Sequence, residues 1–293
     1  MLKAWQICDA IRPILEHSVA FLTRHGKERQ VAPILAEAGL QVQVAEGFDT
    51  DLWGTFSGEV ARPAGQRETA LLKARKALEL NPRADFGLGS EGAFNPHPAS
   101  PFLYLNTEVL VLYSPAWPSA IVGRAFSSDV AFLREKTPYP DDVRHFAEKC
   151  GFPAYGVILK AESEGRLIKA SKNAETLEIL LRDWEKLRDD FQGCVIYAET
   201  DLRAHRNPAR QRIIEQAARD LLRRYLNVCP SCGRQGFGPE ENVPGLPCGL
   251  CGFPTRLAKA TIWRCPHCAA ENARPPEHGQ SMADPAVCLM CNP

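Results

Sequence analysis

SVAFLTRHGKERQVAPILAEAGLQVQVA, residues 18–45, decides the fold class of this chain. Its opening residues, Ser18–Thr23, form a short apolar run that reads as a strand. In the next segment Val31, Ile34, Leu35 and Ala38 recur at helical spacing and share one face, and Gly39 is a natural stop. QVQVA then alternates polar and apolar residues and reads as a second strand. Strand, helix and strand in close succession are the material of an α/β fold.

The same alternation runs on toward the C-terminus. A turn-rich stretch, GFDTDLWGTFSGEVARPAG, precedes QRETALLKARKALELNP, where Ala70, Leu71, Ala74, Ala77 and Leu78 mark an amphipathic helix that Asn81-Pro82 ends. DFGLGSEGAF reads as a strand entering a glycine-rich loop, and LYLNTEVLVLY and AIVGRAF read as strands. Asp141–Cys150 reads as a short helix closed by Gly151. YGVILKA, RLIKA and GCVIYAE are further strands, and Leu177, Leu180, Leu181, Trp184 and Leu187 mark a helix between the last two. A final helix has Asn207 as N-cap, Pro208 at its first position, and a stripe of Ile213, Ile214, Ala217, Ala218, Leu221, Leu222 and Tyr225. The expectation is a mixed α/β domain over residues 1–228, with a central sheet flanked by helices, followed by a small cysteine-rich module over 229–293.

That module contains eight of the eleven cysteines, arranged as four CxxC pairs: Cys229/Cys232, Cys248/Cys251, Cys265/Cys268 and Cys288/Cys291. Fifteen residues separate the first two pairs and nineteen the last two, which suits four-cysteine zinc sites. One tight CxxC turn presents two sulfurs to one ion, and zinc favours four thiolates in a tetrahedron. With all four positions taken by cysteine, two structural zinc ions are expected, in a zinc-ribbon module. Joining the first pair to the second and the third to the fourth is the simplest arrangement; joining the second to the third is the alternative, with TRLAKATIW as a strand between two knuckles. Cys8, Cys150 and Cys194 stand alone and read as inert thiols.

Composition narrows the partners. The chain has 293 residues, 45% hydrophobic and 24% charged, with 35 basic against 35 acidic side chains. Zero net charge argues against bulk non-specific nucleic-acid binding, which needs many basic groups. The module itself balances five basic residues with five acidic ones, unlike a nucleic-acid-binding domain. Val109–Gly123 is too short for a membrane span and contains Pro115 and Pro118, so no membrane partner is expected. Asp9 and Glu16 interrupt what a signal peptide would need, so a cytoplasmic, reducing location is expected, where paired cysteines serve metals. A homodimer is left open.

Four clusters can carry chemistry, each at a strand end or loop–helix junction, where open α/β folds bind ligands. Thr23-Arg24-His25-Gly26-Lys27 follows a strand and opens a helix, a setting for phosphate. Asp49-Thr50-Asp51, Gly54-Thr55 and the nearby Glu68 form a second cluster, and Asp85 with Glu91 a third; such carboxylates in glycine-rich loops suit magnesium. The fourth is Arg203, His205 and Arg206, in a stretch from Asp201 to Arg224 that has seven arginines and three acids.

In this order the clusters resemble the inosine/xanthosine triphosphate pyrophosphatase superfamily. TRHGK is similar to its phosphate loop, ETALLKARKAL to its metal-carboxylate helix, ADFGLGSEGAF to a strand and loop with a further acid, and TDLRAHRNPARQ to its arginine-bearing segment. The resemblance implies a long mixed sheet with a deep cleft. It also implies magnesium-dependent hydrolysis of a nucleoside triphosphate to monophosphate and pyrophosphate. Glu68 and Glu91, or Asp85, would hold magnesium or activate water. Thr23, Arg24, His25, Lys27, Arg203, His205 and Arg206 would hold the nucleotide. His25 stands where that superfamily has asparagine, which favours a second expectation, a non-catalytic nucleotide sensor or adaptor whose zinc ribbons dock a protein or nucleic-acid partner. The whole chain also resembles a bacterial family in which such a domain carries a double CxxC tail, a resemblance that names no activity.

Overall fold

The structure is a computed structural model and describes residues 16–53, 64–97, 100–129 and 132–293. Three sheets organise it. The first has five strands in the order β2-β1-β3-β4-β5, built from β1 (His17–Leu22), β2 (Leu40–Val44), β3 (Phe86–His97), β4 (Ser100–Tyr113) and β5 (Ile121–Ser127). β2, β1 and β3 are parallel, and β4 and β5 continue antiparallel, so the sheet is mixed.

Helices cover both faces, and strand alternation shows why. Val19 and Phe21 of β1 and Leu110 and Leu112 of β4 pack on one side with Val31, Ile34 and Leu35 of α1 (Glu28–Ala36) and Ile214, Ala217 and Leu221 of α5 (Pro208–Leu226). The intervening Ala20, Leu22, Val109 and Val111 face Ala70, Ala74 and Ala77 of α2 (Gln66–Leu80). A strand buried on both faces has no polar face to show, hence the near-continuous apolar runs. DFGLGSEGAF is not a loop: β3 runs straight through it. Its glycines serve contact with α2, since a Cβ on Gly87 or Gly89 would lie 2.0 Å from the carbonyl oxygens of Ala74 or Ala70.

The single long sheet implied by the resemblance is replaced by two. The second, antiparallel sheet has the order β6-β9-β7-β8, formed by β6 (Arg134–Lys136), β7 (Val157–Ser163), β8 (Arg166–Ser171) and β9 (Val195–Thr200). Its core joins Val157, Leu159 and Ala198 to Phe146 of α3 (Pro140–Cys150) and Trp184 of α4 (Leu177–Asp190). The buried Trp184 indole N–H donates to the Thr137 carbonyl at 2.8 Å. The helix ends follow the expected signals: Gly151 closes α3 with φ 79°, and the Asn207 side chain accepts from the Arg210 N–H to cap α5. A third, antiparallel sheet, β10 (Gly238–Pro244), β11 (Ala258–Arg264) and β12 (Glu271–Arg274), carries the cysteine-rich module. No helix among the described residues is long and apolar enough to cross a membrane.

Candidate metal centres and cationic cleft

The eight late cysteines gather into two groups of four, Cys229, Cys232, Cys265 and Cys268 in one and Cys248, Cys251, Cys288 and Cys291 in the other. Both expected pairings are thereby corrected: the first CxxC pair joins the third, and the second joins the fourth. The reason lies in β10 and β11, whose antiparallel ladder folds the chain back between Cys232 and Cys265 and sends Cys248 and Cys251 out to the far end. Sulfurs face each other at 3.7 Å (Cys229–Cys268, Cys232–Cys265, Cys251–Cys288) and 3.8 Å (Cys248–Cys291). A tetrahedron with metal–sulfur bonds of about 2.3 Å has edges of about 3.8 Å. All eight thiols are free of disulfides.

Knuckle backbone supports the charged form of the sulfurs. The N–H groups of Ser231, Leu250 and His267 point at Cys229, Cys248 and Cys265, each at 3.4 Å. Burial opposes ionisation of Cys229, yet the Cys232 and Ser231 N–H groups outweigh it and bring its pKa to about 6. The Cys251 and Leu250 N–H groups bring Cys248 to about 7. Burial holds Cys265 up at about 12, and the Cys251 thiol helps hold Cys291 there, a penalty of crowding that a dication reverses.

The first centre is fixed to the α/β body. Only Asn227 and Val228 separate Cys229 from the end of α5, and the buried Arg224 in the last turn of that helix bonds Asp220 and Glu240 at 2.8 Å each, and the Pro239 carbonyl. Phe237 and Trp263 pack by Cys229 and Cys265, with the Arg274 guanidinium 3.9 Å from the Trp263 ring centre. The second centre lies outward. Its knuckle tips, Leu250, Leu289 and Met290, are exposed. Cys150 and Cys194 are partly buried free thiols, and burial raises the pKa of Cys150; Cys8 lies outside the described residues.

A cleft opens at the C-terminal ends of the parallel strands. β3 runs on beyond its last pair with β1, Leu22–Gly89, so Ser90, Glu91 and Gly92 form a wall there. Thr23, Arg24, His25 and Lys27 come from the β1–α1 loop, Thr50 from the turn after β2, Lys73 from α2 and Arg210 from α5. Lys27 is buried; its ammonium donates to Ser90 Oγ at 3.0 Å and pairs with Glu108. Glu108 Oε2 lies 3.4 Å from Arg210. On the other face of the sheet Lys73 pairs with Glu91 at 2.6 Å. Among the described residues, three buried cations thus converge here against two buried carboxylates, Glu91 and Glu108. Burial lowers the Lys27 pKa to about 8, opposed by Glu108. Burial raises the Glu108 pKa, and the charges of Lys27 and Arg210 more than reverse this, leaving it below the ordinary value.

Other expected site residues lie elsewhere or are already engaged. Asp85 sits before β3, bonded to the Ser18 N–H at 2.8 Å and hydroxyl at 3.0 Å, which lower its pKa. Six residues of strand, about 20 Å, separate it from Glu91, so the two cannot share one ion. Glu68 is exposed in the first turn of α2, where a Cβ on Gly65 would lie 2.6 Å from its carboxylate, and it is not part of the cleft lining. Arg24 pairs with Asp49 at the rim. Gly54 and Thr55 and the Asp51 side chain lie outside what is described.

Arg203 is clasped by Asp201, at 2.6 Å, and bonds Asn173 at 2.7 Å. Arg206 donates to the Ala174 carbonyl. These two arginines tie the segment before α5 to the β8–α4 connection. His205 remains at the cleft's mouth, its ring stacked on His25 at 5.6 Å. Lys73, Glu108 and Arg210, which complete the cationic cluster, are residues that sequence reasoning missed. One acid inside the apolar run of β4 was the available signal.

No curated protein matches the chain. Among solved structures it is similar to the crystal structure of protein VC0702 from Vibrio cholerae, at 9% identity over 73% of this chain and 97% of that one. The TM-score is 0.33, too low to carry any inference. A family model described as "Domain of unknown function (DUF6671)" matches residues 73–293, from Lys73 of the cleft through both cysteine centres, and the chain belongs to that family.

Proposed function

We propose that the cleft binds the phosphate chain of a nucleoside triphosphate, that the protein hydrolyses it to monophosphate and pyrophosphate, and that the two tetracysteine centres hold structural zinc. The observation that carries the cleft reading is the convergence of Lys27, Lys73 and Arg210 beside Glu91 at the end of β1, from three separate elements. Buried cations act on a phosphate with little screening by water and are already in place when charge develops. Lys27 and Arg210 approach from one face of the sheet and Lys73 from the other. Thr23 and Ser90 add hydroxyls, and His25 with His205 edges the mouth.

A magnesium ion fits this donor set in one way. Glu91 is the cleft carboxylate within reach, and magnesium takes one or two carboxylates plus water and substrate phosphates. When bound it would supply charge to the phosphoryl oxygens, and Lys73 would turn from Glu91 to the substrate. Alternatively, once Lys73 has turned away, Glu91 would accept the proton of an attacking water. Attack at the α-phosphorus would break its bond to the bridging oxygen, releasing pyrophosphate.

The second reading, a nucleotide sensor or adaptor without turnover, is favoured by the engagement of both buried carboxylates with cations and by the outward position of Glu68. One assay separates the two. Zinc-loaded protein is given magnesium and a panel of ordinary and deaminated nucleoside triphosphates, and pyrophosphate release is measured. Hydrolysis should fall at least about a hundredfold in Glu91→Gln and little in Glu68→Gln. Binding without release supports the sensor, and release unaffected by Glu91→Gln removes the proposed chemistry.

A further inference from the structure

Glu108 is a carboxylate in an unusual place. It lies within β4, is 0% exposed, and points to the same face as Leu110 and Leu112, where an apolar side chain is the ordinary occupant. One oxygen takes the Lys27 ammonium from the β1–α1 loop and the other lies near Arg210 of α5. Three elements distant in sequence therefore meet at one buried acid. Without it, Lys27 and Arg210 would be two buried like charges, driving each other apart or Lys27 toward neutrality. The groups facing Lys27 are Ser90 and Glu91 of β3, Glu108 of β4 and Arg210 of α5, with Lys73 of α2 and Arg24 and His25 around the same cleft. Burial is the main force taking the proton from Lys27, Arg210 adds to it, and Glu108 is the principal opposing charge.

We propose that Glu108 is the positioning residue of this cleft: its two oxygens hold Lys27 and Arg210 toward one phosphate. Its charge also favours the protonated form of Lys27. This rests on the phosphate reading above. The test uses the full zinc-loaded chain and inorganic tripolyphosphate, without magnesium, titrated calorimetrically from pH 6.5 to 9.5. Wild-type affinity is expected to fall about tenfold per unit above roughly pH 8, as one essential cation loses its proton. In Glu108→Gln that alkaline limb should move down by about one unit or more, and in Lys27→Met it should vanish. A folded Glu108→Gln protein with the wild-type limb overturns the proposal.

Should Glu108→Gln not fold, Glu108→Asp carries the test. It keeps the charge but withdraws the oxygens, so the limb should stay while affinity drops about tenfold; unchanged affinity overturns the positioning role. NMR of the Lys27 ammonium in wild type and in Glu108→Gln is a further check, and the same titration point in both proteins also overturns the proposal. Failure of the wild type to bind tripolyphosphate at any pH removes the phosphate reading and this proposal together, whereas the other negative outcomes leave that reading standing.

Discussion

His205 stands at the cleft's mouth, stacked on His25, with Arg203, Arg206 and Arg29 nearby. Partial burial and then the Arg203 charge lower its pKa below 6.5. The unfolded chain therefore takes up this proton first as pH falls, and stability from His205 is full above 6.5 and lost progressively below it. Urea unfolding at pH 7.5 and 5.5 should show a smaller acid loss in His205→Gln than in wild type; equal losses would sink the idea. At this scale the legible residues were those announced by local context. Lys27 follows a strand and a glycine, and Glu91 sits between residues of a glycine-rich stretch. Glu108 and Arg210 had no such context, because their importance comes from a meeting of β4 with α5 across 102 positions of chain. Asp85 misled for the opposite reason: it lies near Glu91 in sequence, but an extended strand holds the two apart.

Elements were read well wherever hydrophobic period and end signals agreed. The final helix is the clearest example, with its Asn207 cap, Pro208 and apolar stripe all recovered in α5. DFGLGSEGAF was misread because glycine usually signals a turn, whereas here it signals the approach of a helix. α2 meets β3 through alanines and glycines, leaving no room for a methyl group at Gly89. Gly89→Ala should therefore destabilise the protein by about 1–3 kcal/mol or more through overpacking against backbone. It should also disturb the Lys73–Glu91 pair, which spans the same two elements. A urea midpoint unchanged from wild type would show that α2 can retreat freely.

Across the whole molecule, the cysteine centres were legible in kind but not in connection. Spacing identifies a CxxC pair as half a site, while the choice of partner depends on the ladder between β10 and β11. The interleaved arrangement makes each centre close a loop that contains half of the other's ligands. Stripping one proposed zinc ion releases the loop that orients the second. A chelator titration followed by native mass spectrometry should pass from two zinc ions to none with little one-zinc species, and Cys291→Ser should weaken zinc at Cys229, Cys232, Cys265 and Cys268 as well. Independent loss in two separate steps would show uncoupled centres. The order of synthesis gives the same feature another meaning. On a ribosome, adjacent pairing would let the first site capture its ion once Cys251 had emerged, but here no site is complete before Cys268. At that moment Cys248 and Cys251 lie in the loop between the two halves of the first set. The nascent chain thus completes its two cysteine sets in a fixed sequence, the one seated against α5 first and the outer one last, as Cys288 and Cys291 arrive.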